Sequence, residues 1–127
     1  MGFPAAKQGD TVLAVDIHMI QPPGSSPPIP IPHMFSGTVD SGLSTDVKIM
    51  GAPAAIVGSI CTNSQSHVPT GGTFVKEPTN NGIIVMGSAT VLINKKPAAR
   101  SSDTVATCSD VGPPGGKIVA LGTVMIG

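Results

Sequence analysis

The 127-residue sequence predicts an all-β fold built from three related units, with little or no helix. Three observations carry this. Sixteen glycines and 13 prolines rule out long helices, because glycine loosens a helix and proline breaks it. Between them lie valine- and isoleucine-rich runs of strand length. The tripeptide Pro-Ala-Ala recurs at Pro4-Ala5-Ala6, Pro53-Ala54-Ala55 and Pro97-Ala98-Ala99, 49 and 44 residues apart.

The repeat extends past the tripeptide. Residues Val47 to Ala55 align without gaps on Val91 to Ala99, and Val124-Met125-Ile126-Gly127 opens the same strand again. Gly82-Ile83-Ile84-Val85-Met86-Gly87 resembles Gly116-Lys117-Ile118-Val119-Ala120-Leu121-Gly122. Each unit therefore reads as strand, glycine turn, strand, Pro-Ala-Ala and a polar segment. The chain begins inside one unit and stops where the next Pro-Ala-Ala would follow, which predicts approximate three-fold symmetry within one chain.

The elements follow in order. Thr11–Val15 is a strand leading toward His18. Residues 21–32, with six prolines, are expected to be an extended loop rather than sheet or helix, ending at His33. Further strands are expected at Gly37–Val39, Asp46–Met50, Gly82–Met86, Thr90–Asn94, Lys117–Leu121 and Thr123–Ile126. A loop is expected over Ser64–Asn81. The whole, residues 1–127, reads as a single domain with a proline-rich insertion at 21–33.

Composition bounds function. Seven acidic and seven basic residues cancel, and no basic patch is visible, so nucleic-acid binding has little electrostatic support. No apolar run approaches the ~20 residues of a membrane span, and the N-terminus lacks a secretory signal pattern. With no Trp, no Tyr and only Phe3, Phe35 and Phe74, the core is thin; such a chain calls for a staple such as a metal.

The repeat offers one. His18 and His67 each lie fourteen residues after their unit's Pro4 or Pro53, and Cys108 lies eleven after Pro97. Zinc takes four Cys, His or carboxylate ligands in a closed structural site. His33, at the end of the proline segment, is the favoured fourth ligand. Cys61 competes, and otherwise reads as a small buried side chain. Ordinary surface or core histidines and a Cys61–Cys108 disulfide stay open, since the spacing matches no zinc-finger pattern.

The sequence resembles the Pro-Ala-Ala-Arg (PAAR) repeat family. The resemblance rests on Pro97-Ala98-Ala99-Arg100 followed by Ser102-Asp103-Thr104 and Cys108, and on Gly87-Ser88-Ala89-Thr90-Val91-Leu92-Ile93-Asn94 before it. Asp16-Ile17-His18, the proline segment and Pro32-His33-Met34-Phe35 resemble the PAAR-like branch found with contractile injection systems. Only the third copy carries Arg; Lys7 and Ile56 stand in the others, and Ser59 replaces the Asp of Asp10 and Asp103. If those positions stabilise turns, the second unit is the least secure.

The resemblance implies a small cone whose base sits on a trimeric, VgrG-like β-helical spike, one copy per trimer. It implies three histidines and a cysteine holding a structural Zn²⁺ near the apex, with iron a weaker alternative. The spike tips type VI secretion tubes and related phage-tail-like particles, which assemble in the bacterial cytoplasm and then leave the cell. Val47, Ile49, Val91, Ile93, Val124 and Ile126 are the candidate spike-contacting residues, although strand residues of this type also serve as plain core. The implied role is structural rather than enzymatic. A zinc enzyme would need an open metal position, and Glu77, the single glutamate, lacks a ligand-like context. With the chain stopping at Gly127, no fused effector is expected, while a non-covalently carried one remains open.

Overall fold

A computed structural model describes residues 2–127. Among them there is no helix, in agreement with the expected all-β fold. Six strands close on themselves: β2 (Thr11–Gln21), β3 (Ile29–Ser41), β6 (Ile60–Asn63), β8 (Asn81–Ile84), β11 (Thr104–Ala106) and β12 (Gly116–Val119). Each pairs antiparallel with the next in the order β12-β11-β8-β6-β3-β2, and β12 returns to β2. Closure removes the open edges of a small sheet. A short strand, β7 (Thr73–Phe74), adds to the far end of β2.

Alternation along β2 and β3 sets the interior. Val12, Ala14, Asp16, His18 and Ile20 point inward from β2, while Leu13 and Val15 face out. His33, Phe35, Gly37 and Val39 do the same from β3. The barrel fills with Val12, Phe35, Val39, Cys61, Ile84, Val105 and Ile118, all 0–1% exposed. Toward the far end the inward stripe changes from hydrocarbon to Asp16, His18 and His33. The period of two therefore places the polar site on the same face as the core.

The other end carries the three-fold symmetry. Two hairpins, β4 (Lys48–Ile49) with β5 (Ala52–Pro53) and β9 (Leu92–Ile93) with β10 (Lys96–Pro97), turn through residue pairs with positive φ: Met50 and Gly51, and Asn94 and Lys95. Such two-residue turns match the twist of paired strands. The third pair joins the ends of the chain, β1 (Phe3–Pro4) against β13 (Met125–Ile126).

The Pro-Ala-Ala copies meet at the axis. The Ala6 N–H donates to the Ala99 carbonyl, Ala99 to Ala55, and Ala55 to Ala6, at 2.9–3.1 Å, so the three peptides form a closed ring. All three side chains are fully buried, and crowding about the axis explains why each is alanine. Outside the ring, Ala5, Ile49, Ala54, Ile56, Ile93, Ala98 and Ile126 pack as a second cluster.

Each unit then turns under a side-chain cap. Asp10 Oδ2 accepts the Lys7 N–H at 2.9 Å, and Asp103 Oδ2 accepts the Arg100 N–H at 2.7 Å. Ser59 Oγ accepts the Ile56 N–H at 3.0 Å. In the first and third units the cap also pairs with the cation three residues before it, Lys7–Asp10 at 2.8 Å and Arg100–Asp103 at 2.9 Å. In the second, Ser59 instead donates to the Gly42 carbonyl at 2.9 Å. The position is thus a turn cap in all three units, and the second lacks the ion pair.

The proline segment differs from expectation. Residues Ile29–Pro32 belong to β3, with Pro30 opposite Met19 and Pro32 opposite Ile17. Backbone groups of a strand alternate between its two neighbours, and even-numbered residues of β3 face away from β2, as Ser36 does toward Asn63. Pro30 and Pro32 share that parity. β6 pairs only from Gly37 onward, so their missing N–H groups face an unpaired edge, where proline is tolerated.

Candidate metal centre

The site lies about 23 Å along β2 from Thr11, at the usual strand rise per residue, beyond the barrel core and away from the Pro-Ala-Ala ring. The sequence-predicted donors His18, His33, His67 and Cys108 converge here from four separate segments. Ring centroids are 5.3 Å apart for His18 and His33, 4.9 Å for His18 and His67, and 5.5 Å for His33 and His67. Cys108 Sγ lies 3.8 Å from His18 Nε2. Phe74 closes the cluster edge-on to His18. Cys61 sits in the barrel core against β8, and both cysteines are free thiols, so the disulfide alternative does not hold.

Local structure explains each placement. His18 and His33 stand on the inward stripes of paired strands. His67 comes from the long loop after β6, and its N–H donates to Asn80 Oδ1 at 2.9 Å. Asn80, at φ 59°, also accepts from Asn63 Nδ2, tying the loop to the end of β6. Cys108 is held by its neighbours along the free side of β2. Ser109 Oγ accepts the Ile17 N–H at 2.8 Å, and Asp110 Oδ2 accepts the Met19 N–H at 3.0 Å.

Asp16 belongs to the cluster as well, and the sequence reading did not count it among the donors. It is fully buried, 2.9 Å from His67 Nε2 and 3.2 Å from Cys108 Sγ through Oδ2, and bonded to the Thr107 hydroxyl through Oδ1. Asp16, His18, His67 and Cys108 each offer a ligand atom, all within 4.8 Å of one another. The signal available was Asp16-Ile17-His18: residues two apart on a strand share a face.

The donors are poised for a cation. His33 Nδ1 donates to the Ile31 carbonyl at 2.9 Å, which leaves Nε2 with its lone pair, buried and without a partner. His18 Nδ1 lies 3.3 Å from Asp110 Oδ1, out of line for a hydrogen bond. Burial holds the His18 pKa below the ordinary histidine value, against the opposing charge of Asp110, which favours the neutral ring a metal needs. Burial first, then the hydrogen bond and charge of Asp16, push the Cys108 thiol up to about 11. Imidazole nitrogens with a thiol suit zinc and its neighbours in the first transition row rather than magnesium or calcium.

The other sequence-predicted contact residues divide. Ile49, Ile93 and Ile126 are buried in the second cluster at 6–8% exposure, and Val91 packs against it. Val47 and Val124 are exposed, as are Phe3, Met50, Leu92 and Met125 at the three hairpins. The strand period explains the split: in β4, β9 and β13 the isoleucine faces in and the residue before it faces out.

A comparison with known families matches the PAAR motif over residues 30–111. Comparisons with curated proteins and with solved structures returned no match.

Proposed function

Because the chain belongs to the PAAR-motif family, we propose that it is a structural spike-tip protein, capping the trimeric spike of a contractile injection system with its three-hairpin face. One observation carries the reading: a pseudo-three-fold ring of hairpins with exposed apolar side chains lies at the end opposite a buried His/Cys cluster. Three similar edges in one chain match three identical edges of a trimer, which gives one copy per trimer. The exposed residues Met50, Leu92 and Met125, with Val47 and Val124, supply the contact, and Ile49, Ile93 and Ile126 hold it in shape from behind.

At the other end His18, His33, His67 and Cys108 would hold a structural Zn²⁺, iron being the weaker alternative. Four protein ligands close such a site, so the role is structural and not enzymatic. The metal replaces a hydrocarbon core that a narrowing end has no room to build. The particle assembles in the cytoplasm and the tip leaves the cell with it. No helix among the described residues is long and apolar enough to cross a membrane.

Native mass spectrometry of the chain mixed with its trimeric spike tests this. One copy per trimer is expected, lost in Leu92→Asp and Met125→Asp variants that keep their fold and metal. Three copies per trimer, or binding abolished by changes at Met34 or Val68 beside the histidines rather than at the hairpins, refutes it.

A further inference from the structure

Asp16 is a carboxylate with no exposed surface, and its one ion-pair partner among the described residues is His67. Lys7 and Arg100 are engaged elsewhere with Asp10 and Asp103. An unpaired charge in such a place is strongly destabilising, so the fold must supply positive charge beside it.

Three donors converge on it. The Thr107 hydroxyl donates to Oδ1, and His67 Nε2–H and the Cys108 thiol donate to Oδ2. An ionised carboxylate only accepts, so His67 donates through Nε2, and in the neutral ring that a metal needs the lone pair is on Nδ1. The other two rings follow the same plan. His33 gives one nitrogen to the Ile31 carbonyl, and His18 turns one toward Asp110. Each of the three histidines thus has an oxygen facing one nitrogen, through a hydrogen bond in His67 and His33 and by proximity alone in His18; His33 Nε2 is unpartnered, and His18 Nε2 meets Cys108 Sγ. Such oxygens fix ring tautomer and orientation at metal sites.

From this pattern we propose that Asp16 is a positioning residue of the metal centre: it holds the His67 ring by hydrogen bond and supplies counter-charge, without itself touching the ion. The inference rests on the ligand set proposed above, His18, His33, His67 and Cys108. With the thiol ionised, Cys108 and Asp16 bring two negative charges directly to the cluster, and the Asp110 carboxylate stands 3.3 Å from His18 Nδ1 at its edge.

The test uses cobalt(II) as a spectroscopic stand-in for zinc, on the full chain and three variants, with affinity read by competition against a chelator. Wild type is expected to bind one equivalent, with a thiolate-to-cobalt band and visible bands of a tetrahedral site. His33→Ala should shift those visible bands. Asp16→Asn should keep them unchanged while affinity falls about 10- to 100-fold. Thr107→Val, which frees Oδ1 and leaves the carboxylate, should weaken binding about threefold to tenfold.

Absence of the thiolate band in wild type, or an unaltered spectrum in His33→Ala, defeats the ligand set and the present proposal with it. With that set upheld, the Asp16 role is overturned if Asp16→Asn binds as tightly as wild type. It is equally overturned if Asp16→Asn shifts the visible bands, which would make Asp16 a ligand. Should Asp16→Asn fail to fold, unaltered affinity in Thr107→Val overturns the role instead.

Discussion

Replacing Ser59 by aspartate would restore, by sequence, the residue that caps the other two units, yet it should destabilise the protein. Asp10 and Asp103 each cap a turn with one oxygen and meet a cation with the other. At the equivalent place the second unit has Ile56, buried in the cluster beneath the hairpins. Ser59 is itself fully buried and uses its proton to satisfy the Gly42 carbonyl. An aspartate there has no proton to give, so its second oxygen faces that carbonyl. Losing the Gly42 bond costs about 1–3 kcal/mol, and a buried carboxylate without a partner adds about 3–5 kcal/mol. Lys96 reaches the neighbouring Gly58, but an exposed lysine returns no more than about 1 kcal/mol. The net loss is at least about 3 kcal/mol, or roughly 10–15 °C in melting temperature for a chain of this size. Burial would raise the new carboxyl's pKa in the fold, so the deficit should shrink as pH falls through the carboxylate range and be full at neutral pH. Thermal melts at pH 7 and pH 4, with Ser59→Ala as the reference losing only about 1–3 kcal/mol, read this directly. Aspartate equal to or better than wild type at pH 7 would show the three turns to be interchangeable and refute the reasoning.

Other outcomes follow from the same geometry. Cys108→Ser should lose the metal, measured by elemental analysis, and with it the stability that chelation also removes; Cys61→Ser should keep the metal and lose about 1–3 kcal/mol for a hydroxyl in the barrel core. Metal binding must displace the Cys108 proton, held up to about 11, so apparent affinity should rise about tenfold per pH unit between pH 7 and 9, and a flat profile would place the thiol outside the site. Burial first also raises the Cys61 thiol to about 11. With both thiols raised above the free value, the metal-free fold should hold its stability below about pH 9 and lose it as pH climbs toward 11, as denaturant titrations across that window will show.

Much of this was legible in the sequence because the repeat keeps register. The Pro-Ala-Ala spacing located the ring, and the equivalence of His18 and His67 located two of the site's side chains. Cys108 was marked by its place eleven residues after Pro97, and His33 by its position at the end of the proline segment. What the sequence concealed was the reach of β2 and β3. Six prolines argue against a strand unless one knows that Pro30 and Pro32 share the parity facing an empty edge, and edge position is a property of the assembled sheet. Asp16 was hidden for a related reason. An aspartate two residues before a histidine reads as a solvated turn residue until Thr107 and Cys108, more than ninety residues away, arrive on the same face. The inward isoleucines of the hairpins were ambiguous for want of a sheet face to assign them to.

The pairing of Phe3–Pro4 with Met125–Ile126 has a consequence in time. Two of the three hairpins form from neighbours in sequence and can close within microseconds of their synthesis. The third brings together segments more than 120 residues apart, so its closure carries the loop entropy of nearly the entire described chain. The ring of alanine peptides holds the first and third units together from within, and the hairpin latches them from outside. Under the proposed role, the docking face is thus completed only after every other described element has been made. A chain still being made, or cut short before Met125, presents a trimer with two finished edges and one gap.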